Sequence, residues 1–383
     1  MGLIRIILVC LLACAGCMPQ QAGDTSRTGD KAPPPGSFFT CPGEKQLKPG
    51  SLLSELKKNR FILIGEGHRN KCDHEVQAGT VKLLAESGER FSIGLEMVNT
   101  EMQPVLDRFN SGKLALTDLK SELNWEENWG YDFGYFSRIF ELARGNNLPV
   151  YALNLPKDVV RTISRKGLTG LSDEQKSHLP GRIIPAPEEQ KKALAPFFSG
   201  HSKMLDKQGF SRERFFLSQA VWESKMAWEA ACRQEKTRMP MLILAGSGHI
   251  ETGWGIGYRL TRMCPEAKII RLLPKRKLSC QDSVQGIRFY CPSQPRSHLG
   301  MVLEKTAQGV RVERVVPGSK AAGKGIKKGD LILSAAGEDV SRLMDLHTAA
   351  VRARQKGNDL CLEINKNGSK QNMCFSLGGR RKE

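Results

Sequence analysis

Between residues 51 and 275 two hydrophobic textures alternate along the chain. Short, almost wholly apolar runs recur: Phe61-Ile-Leu-Ile-Gly65, Phe91-Ser-Ile-Gly-Leu95, Leu148-Pro-Val-Tyr-Ala-Leu153, Met241-Leu-Ile-Leu-Ala245 and Ala267 to Leu273. A run with no polar alternation is what a strand buried on both faces requires. Between these runs, helical patterns are predicted over Val76–Glu86, Gln103–Phe109, Tyr135–Arg144, Glu188–Phe198 and Arg214–Glu235. The alternation predicts an α/β fold, a mainly parallel sheet flanked by helices. From 298 to 378 the runs shorten and glycine-rich turns separate them, which predicts a second, small β-rich domain.

The ends of the chain read differently. Ile6 to Ala15 is apolar behind Arg5. About ten such residues are too few to span a bilayer and match the core of a secretion signal. The run meets Ala15-Gly16-Cys17, which resembles a bacterial lipoprotein box; that likeness implies lipidation at Cys17, and Met18 after it implies the outer membrane. Leu11-Leu12-Ala13-Cys14 is a weaker version of the same box, and an ordinary cleaved signal is the plainer alternative. The expected organisation is a signal peptide at 1–17, a Gly/Pro/Ser-rich tether at 18–50, the α/β domain at 51–275, a basic linker at 276–297 and the small domain at 298–378.

Composition narrows the class. Of 383 residues 40% are hydrophobic, enough for a packed core. Lys and Arg number 58 against 40 Asp and Glu, a formal charge of +18. That charge suits an anionic surface or an acidic ligand. The basic residues are scattered and no nucleic-acid motif accompanies them, so no nucleic-acid partner is expected.

Eleven cysteines occur. Setting aside Cys10, Cys14 and Cys17 leaves an even set (Cys41, Cys72, Cys232, Cys264, Cys280, Cys291, Cys361 and Cys374), as disulfides in an exported protein require. One pair follows from geometry. Asn367-Gly368 is a two-residue hairpin signal, and stepping outward from it sets Cys361 opposite Cys374, with Cα atoms near ~4.5 Å. Cys280 and Cys291 are expected to close a short loop.

The chemistry concentrates at strand ends. Gly65-Glu66-Gly67-His68 and Gly246-Ser247-Gly248-His249 repeat one Gly-x-x-His motif directly after a strand; a third strand ends in Gly94-Leu95-Glu96-Met97 and a fourth reaches Asn154. Ligands of open α/β sheets bind beyond the carboxyl ends of the strands, so Glu66, His68, Glu96 and His249 are expected to converge. Two His and a Glu (His68, His249, Glu96) suit a divalent transition metal, with Glu66 acting on an attacking water; imidazole also ligates haem iron. Without metal, Glu66 and His68 form a general-base pair. For a lone His a satisfied polar role would be the better reading, but the repetition favours a site. Trp125, Trp129 and Tyr131 lie in an aromatic and acidic segment that suits a porphyrin, although capping the core is the commoner role for tryptophan. His74 and His201 are expected to be solvated, and Trp222 and Trp228 to be core or cleft wall. No G-x-S-x-G elbow occurs, which argues against a serine hydrolase.

These residues resemble a known family. The GEGH, GLEM and GSGH segments, with Trp125-x-x-x-Trp129-Gly130-Tyr131-x-x-x-Tyr135, look like the ChaN family of haem-binding lipoproteins, a branch of a group that includes Tiki, TraB and erythromycin-esterase-like proteins. The resemblance implies a lipid-anchored haem-binding protein of iron uptake at the outer membrane, facing the periplasm, with His68, His249, Tyr131 and Glu96 as candidate cofactor residues. Tiki relatives imply instead a metal-dependent hydrolase or peptidase using Glu66, His68, Glu96 and His249. From 298 the order Val310–Val316, Pro317-Gly318-Ser319, Gly325-Ile326, Gly329-Asp330 resembles a bacterial PDZ domain, which implies a peptide-binding loop at Leu299, Gly300 and Met301 and a protein partner. The expected partners are thus haem, a membrane through the anchor and a PDZ ligand, with a homodimer allowed.

Overall fold

The computed structural model describes residues 32–199, 211–276, 286–292, 299–306, 308–316, 318–341 and 343–377. The chain divides into two compact units, Met1–Pro292 and Ser293–Glu383.

The first unit is built on strands β1 (Phe38–Cys41), β2 (Gln46–Leu47), β3 (Phe61–Glu66), β4 (Ser92–Asn99), β5 (Val150–Asn154), β6 (Met241–Gly246), β7 (Ile269–Lys275) and β8 (Gly286–Tyr290). They form one sheet in the order β2-β1-β8-β7-β3-β6-β4-β5. From β8 to β5 every pairing is parallel; β1 and β2 join antiparallel at one edge. The α/β expectation is borne out. All residues of β3, β4 and β6 are buried, which explains their predominantly apolar sequence. Helices Lys71–Glu86 and Gly134–Gly145 pack together, and Arg212–Thr237 packs with Ile256–Met263 and Lys157–Lys166. Among the described residues no helix is long and apolar enough to cross a membrane.

The segments expected to be tether (18–50) and linker (276–297) differ from that reading, because β1, β2 and β8 come from them. Too short to show periodicity, they are held by pairing with each other and by Phe38 against Phe289, ring centroids 6.0 Å apart. The expected Cys280–Cys291 pair is overturned: Cys291 is bonded to Cys72, 219 residues away, and Cys280 lies outside the described residues. Adjacency in sequence was a poor guide because β8 returns to the sheet beside the start of helix Lys71–Glu86.

The second unit is an antiparallel sheet of β9 (Met301–Thr306), β10 (Gly309–Val315), β11 (Leu331–Ala335), β12 (Glu338–Asp339), β13 (Leu360–Lys366) and β14 (Ser369–Phe375), with helix Leu343–Gln355. Cys361 and Cys374 are register partners and are disulfide-bonded, as the Asn367-Gly368 turn predicts.

Candidate functional site

The carboxyl ends of β3, β4 and β6 meet as the sequence predicts. Glu66, the last residue of β3, is 2% exposed and sits between two imidazoles. Its Oε1 lies 2.9 Å from His68 Nδ1, and its Oε2 lies 3.1 Å from His74 Nδ1. Burial pushes this carboxyl up, but the charge of His74 and the hydrogen bonds from both rings outweigh it and hold the pKa at about 2.

His74 corrects the expectation of a solvated role: it is 2% exposed. Its Nε2 donates to the His68 carbonyl at 3.3 Å, while Nδ1 faces Gln77 Oε1 at 3.2 Å as well as Glu66. Both nitrogens face acceptors, which favours the protonated ring. Burial pulls the pKa down, yet the Glu66 charge leaves it raised. Tyr135 stacks on this imidazole at 4.7 Å and 6°. The signal for His74 was its place in the first turn of the helix after GEGH, but charged neighbours masked it.

The other half of the site is reached across Gly246. A Cβ there would lie 2.7 Å from His68 Cε1, 3.1 Å from His68 Nε2 and 3.5 Å from Glu96 Oε2. Only glycine lets the imidazole rest on the β6 backbone. The Gly246 N–H donates to Glu96 Oε2 at 2.6 Å, and Asn154 Nδ2 donates to the Glu96 carbonyl at 2.6 Å. Glu96 Oε1 is 3.5 Å from His249 Nε2, and His249 Nδ1 is 3.2 Å from Glu223 Oε1. Glu223 is a residue that sequence reasoning missed, as are Arg259, 2.8 Å from its Oε2, and Gln190, which donates to that oxygen at 2.7 Å. Nothing in the local sequence marks a Glu in a long helix as buried. Burial lowers the His249 pKa, but Glu96 and Glu223 more than offset this and raise it.

Aromatic side chains wall the His68 half. His68 lies edge-on to Trp129 at 4.9 Å and 5.0 Å from Tyr131. Trp125, 1% exposed, caps the core as tryptophan commonly does, and its Nε1 donates to the Tyr131 carbonyl at 2.7 Å, fixing the segment. Trp222 packs 5.0 Å from His249 and donates to Asn154 Oδ1. It is cleft wall. In the second unit Leu299 and Met301 are 3% and 0% exposed and pack in the core, so this loop offers its backbone rather than those side chains. Gly300 has φ +84° and no room for a Cβ, which would lie 2.2 Å from Ser319 Cβ. Cys17 and His201 lie outside the described residues.

A family profile described as haem-binding uptake, Tiki superfamily, ChaN matches residues 52–260. The chain belongs to that family. A PDZ domain profile matches residues 297–377. A solved structure described as cofacial haem binding to ChaN of Campylobacter jejuni shares the fold at TM-score 0.53 and 18% identity, covering 66% of this chain and 96% of that one. Protein RETICULATA-RELATED 5, chloroplastic, of Arabidopsis thaliana is 21% identical over 280 residues, 64% of this chain. The chain spans 36% of the length of that curated relative.

The ChaN family implies haem, and the His68 half fits it. Glu66 holds Nδ1 of His68, which orients the ring and leaves Nε2 for a metal, the arrangement seen in carboxylate-supported His ligands. The buried Nε1 of Trp129 has no hydrogen-bond partner among the described residues. The set His68, His249 and Glu96 does not fit a divalent metal. His249 Nδ1 faces Glu223 and Nε2 faces Glu96, contacts that favour the protonated ring over the neutral imidazole a metal requires. Among the described residues no group of three or more His, Cys, Asp or Glu side chains is arranged to hold a metal ion.

Proposed function

We propose that the first unit binds haem at His68, in an exported protein anchored to the outer membrane by lipid on Cys17, and that the second unit recruits a protein partner. The role is haem or iron uptake. One observation carries the haem reading: an imidazole whose Nδ1 is held by a buried carboxylate at 2.9 Å, lying against Trp129 and Tyr131. Haem bound there would supply an iron that an imidazole can ligate. His68 would hold the iron through Nε2, Trp129 and Tyr131 would supply the flat apolar contact, and Glu66 would fix the ring. His249 and Glu96 stand behind this surface as support. The net charge of +18 favours an anionic porphyrin and an anionic membrane surface. The description of the Campylobacter jejuni structure as cofacial haem binding supports the same ligand class and is in keeping with a homodimer.

Haem titrated into the full chain should give a saturable Soret shift that His68→Ala abolishes and His249→Ala only weakens. An unchanged shift in His68→Ala would sink the proposal. Fatty-acid labelling lost in Cys17→Ser tests the anchor, and capture of carboxyl-terminal peptides by the second unit tests recruitment.

A further inference from the structure

Trp129 has a donor with nothing to donate to. Indole N–H is donor only, and a buried one ordinarily finds an acceptor. Trp125 and Trp222 obey that rule, donating to the Tyr131 carbonyl and to Asn154. The Trp129 side chain is buried at 7% exposure, and its Nε1 has no acceptor among the described residues. It is not remote from the site: the indole is 4.9 Å from the His68 ring and 5.3 Å from Tyr131. Arg69, next to His68 in the chain, sets its guanidinium 5.6 Å from the Tyr131 ring centroid. The Trp129 indole and the Arg69 guanidinium thus both lie against the Tyr131 ring. The buried carboxylate on this side, Glu66, is held by His68 and His74.

We infer that Trp129 Nε1–H, with Arg69 beside it, receives a carboxylate of the bound porphyrin. Trp129 is then a specificity-determining residue that separates an acid porphyrin from its ester. An unmet donor costs free energy that an arriving anionic oxygen recovers, and a charge-assisted hydrogen bond is stronger than a neutral one. This rests on the haem reading, and the ester comparison tells the two apart.

The test is a titration of the full chain with haem and with haem dimethyl ester. Trp129→Phe keeps a flat ring and removes the donor. It should weaken haem by about tenfold and leave the ester unchanged, with Arg69→Ala giving a smaller loss of the same selectivity. Equal weakening of both porphyrins, or of neither, overturns the inference while the haem reading stands. Uptake of neither porphyrin by the wild-type chain ends both. Should Trp129→Phe fail to fold, by near-ultraviolet dichroism, the wild-type chain decides: the Trp129 indole N–H resonance should move downfield with zinc protoporphyrin. It should not move with the zinc protoporphyrin dimethyl ester, and the same shift with both refutes the assignment.

Discussion

At Glu66 burial and charge pull in opposite directions, and the two imidazoles win, leaving a carboxylate with a pKa of about 2 against 4.5 for an ordinary Glu. A depressed carboxylate stabilises the fold fully above its unfolded pKa and loses that contribution as pH falls toward the folded one. His74 and His249 are raised above 6.5, so their stabilisation is complete below 6.5 and is lost as pH rises through the higher folded values. Stability should therefore be greatest between about pH 4.5 and 6.5. Denaturant midpoints measured against pH check this, and Glu66→Gln should flatten the acid limb. Glu223→Gln leaves Arg259 buried without an ionised partner and His249 with Glu96 alone. An expected loss of about 3–5 kcal/mol is readable by the same denaturation. At Gly246 a methyl would meet His68 Cε1 at 2.7 Å, so Gly246→Ala should move the imidazole. A loss of haem affinity of tenfold or more is expected, on the order of one strained contact of ~1.4 kcal/mol, measured by Soret titration. The motif Gly-x-x-His was legible as a motif; that its leading glycine in β6 makes room for the other motif's histidine was not, since that contact joins residues far apart in the chain.

Elements show the same division. Five strands of the parallel core, β3 to β7, were visible because burial leaves their runs largely apolar. β5 is the outer strand, yet its backbone is not open. Asn110 accepts from Val150 N–H at 2.9 Å and donates to Val150 O at 3.0 Å, and Gln103 accepts from Ala152 N–H at 2.8 Å. Side chains of helix Gln103–Asn110 thus take the place of a further strand and block edge pairing. Gln103→Ala should leave the Ala152 N–H without its partner, costing about 1–3 kcal/mol and promoting association, checked by denaturation and light scattering. No periodicity signals such a cap: a helical Gln or Asn reads as a surface residue until the sheet edge is placed beside it. Strands β1, β2 and β8 escaped notice for the related reason that a short strand's sequence is weakly patterned and its partners define it.

Over the whole molecule, the disulfides divide the work between the units. Cys72–Cys291 ties the start of the helix carrying His74 to the residue after β8, and Asn70 Nδ2 donates to the Pro292 carbonyl at 3.2 Å beside it. A bridge over so long a loop is worth about 5 kcal/mol by the chain-entropy argument, and Cys361–Cys374, closing a short one, about 3 kcal/mol. Cys291→Ser should lower the first unit's melting temperature and weaken haem binding together, while the transition of the second unit stays in place; calorimetry with and without haem reads both. Cys232 and Cys264 stay free, so an even count of cysteines did not mean that all of them pair.

By itself the sequence determined the parallel core, the second β-rich unit, the Cys361–Cys374 hairpin and the convergence of Glu66, His68, Glu96 and His249. Each follows from local rules: hydrophobic period, turn chemistry, and the habit of strand ends to face one side. Tertiary structure alone decided the roles within that convergence. Glu66 bridges His68 to His74, while His249 is drawn away to Glu223, so the two histidines of one repeated motif differ in exposure and partners. Ionisation and ligand access depend on which groups surround a side chain in space, and those groups come from helices whose own sequence carries no mark of the site.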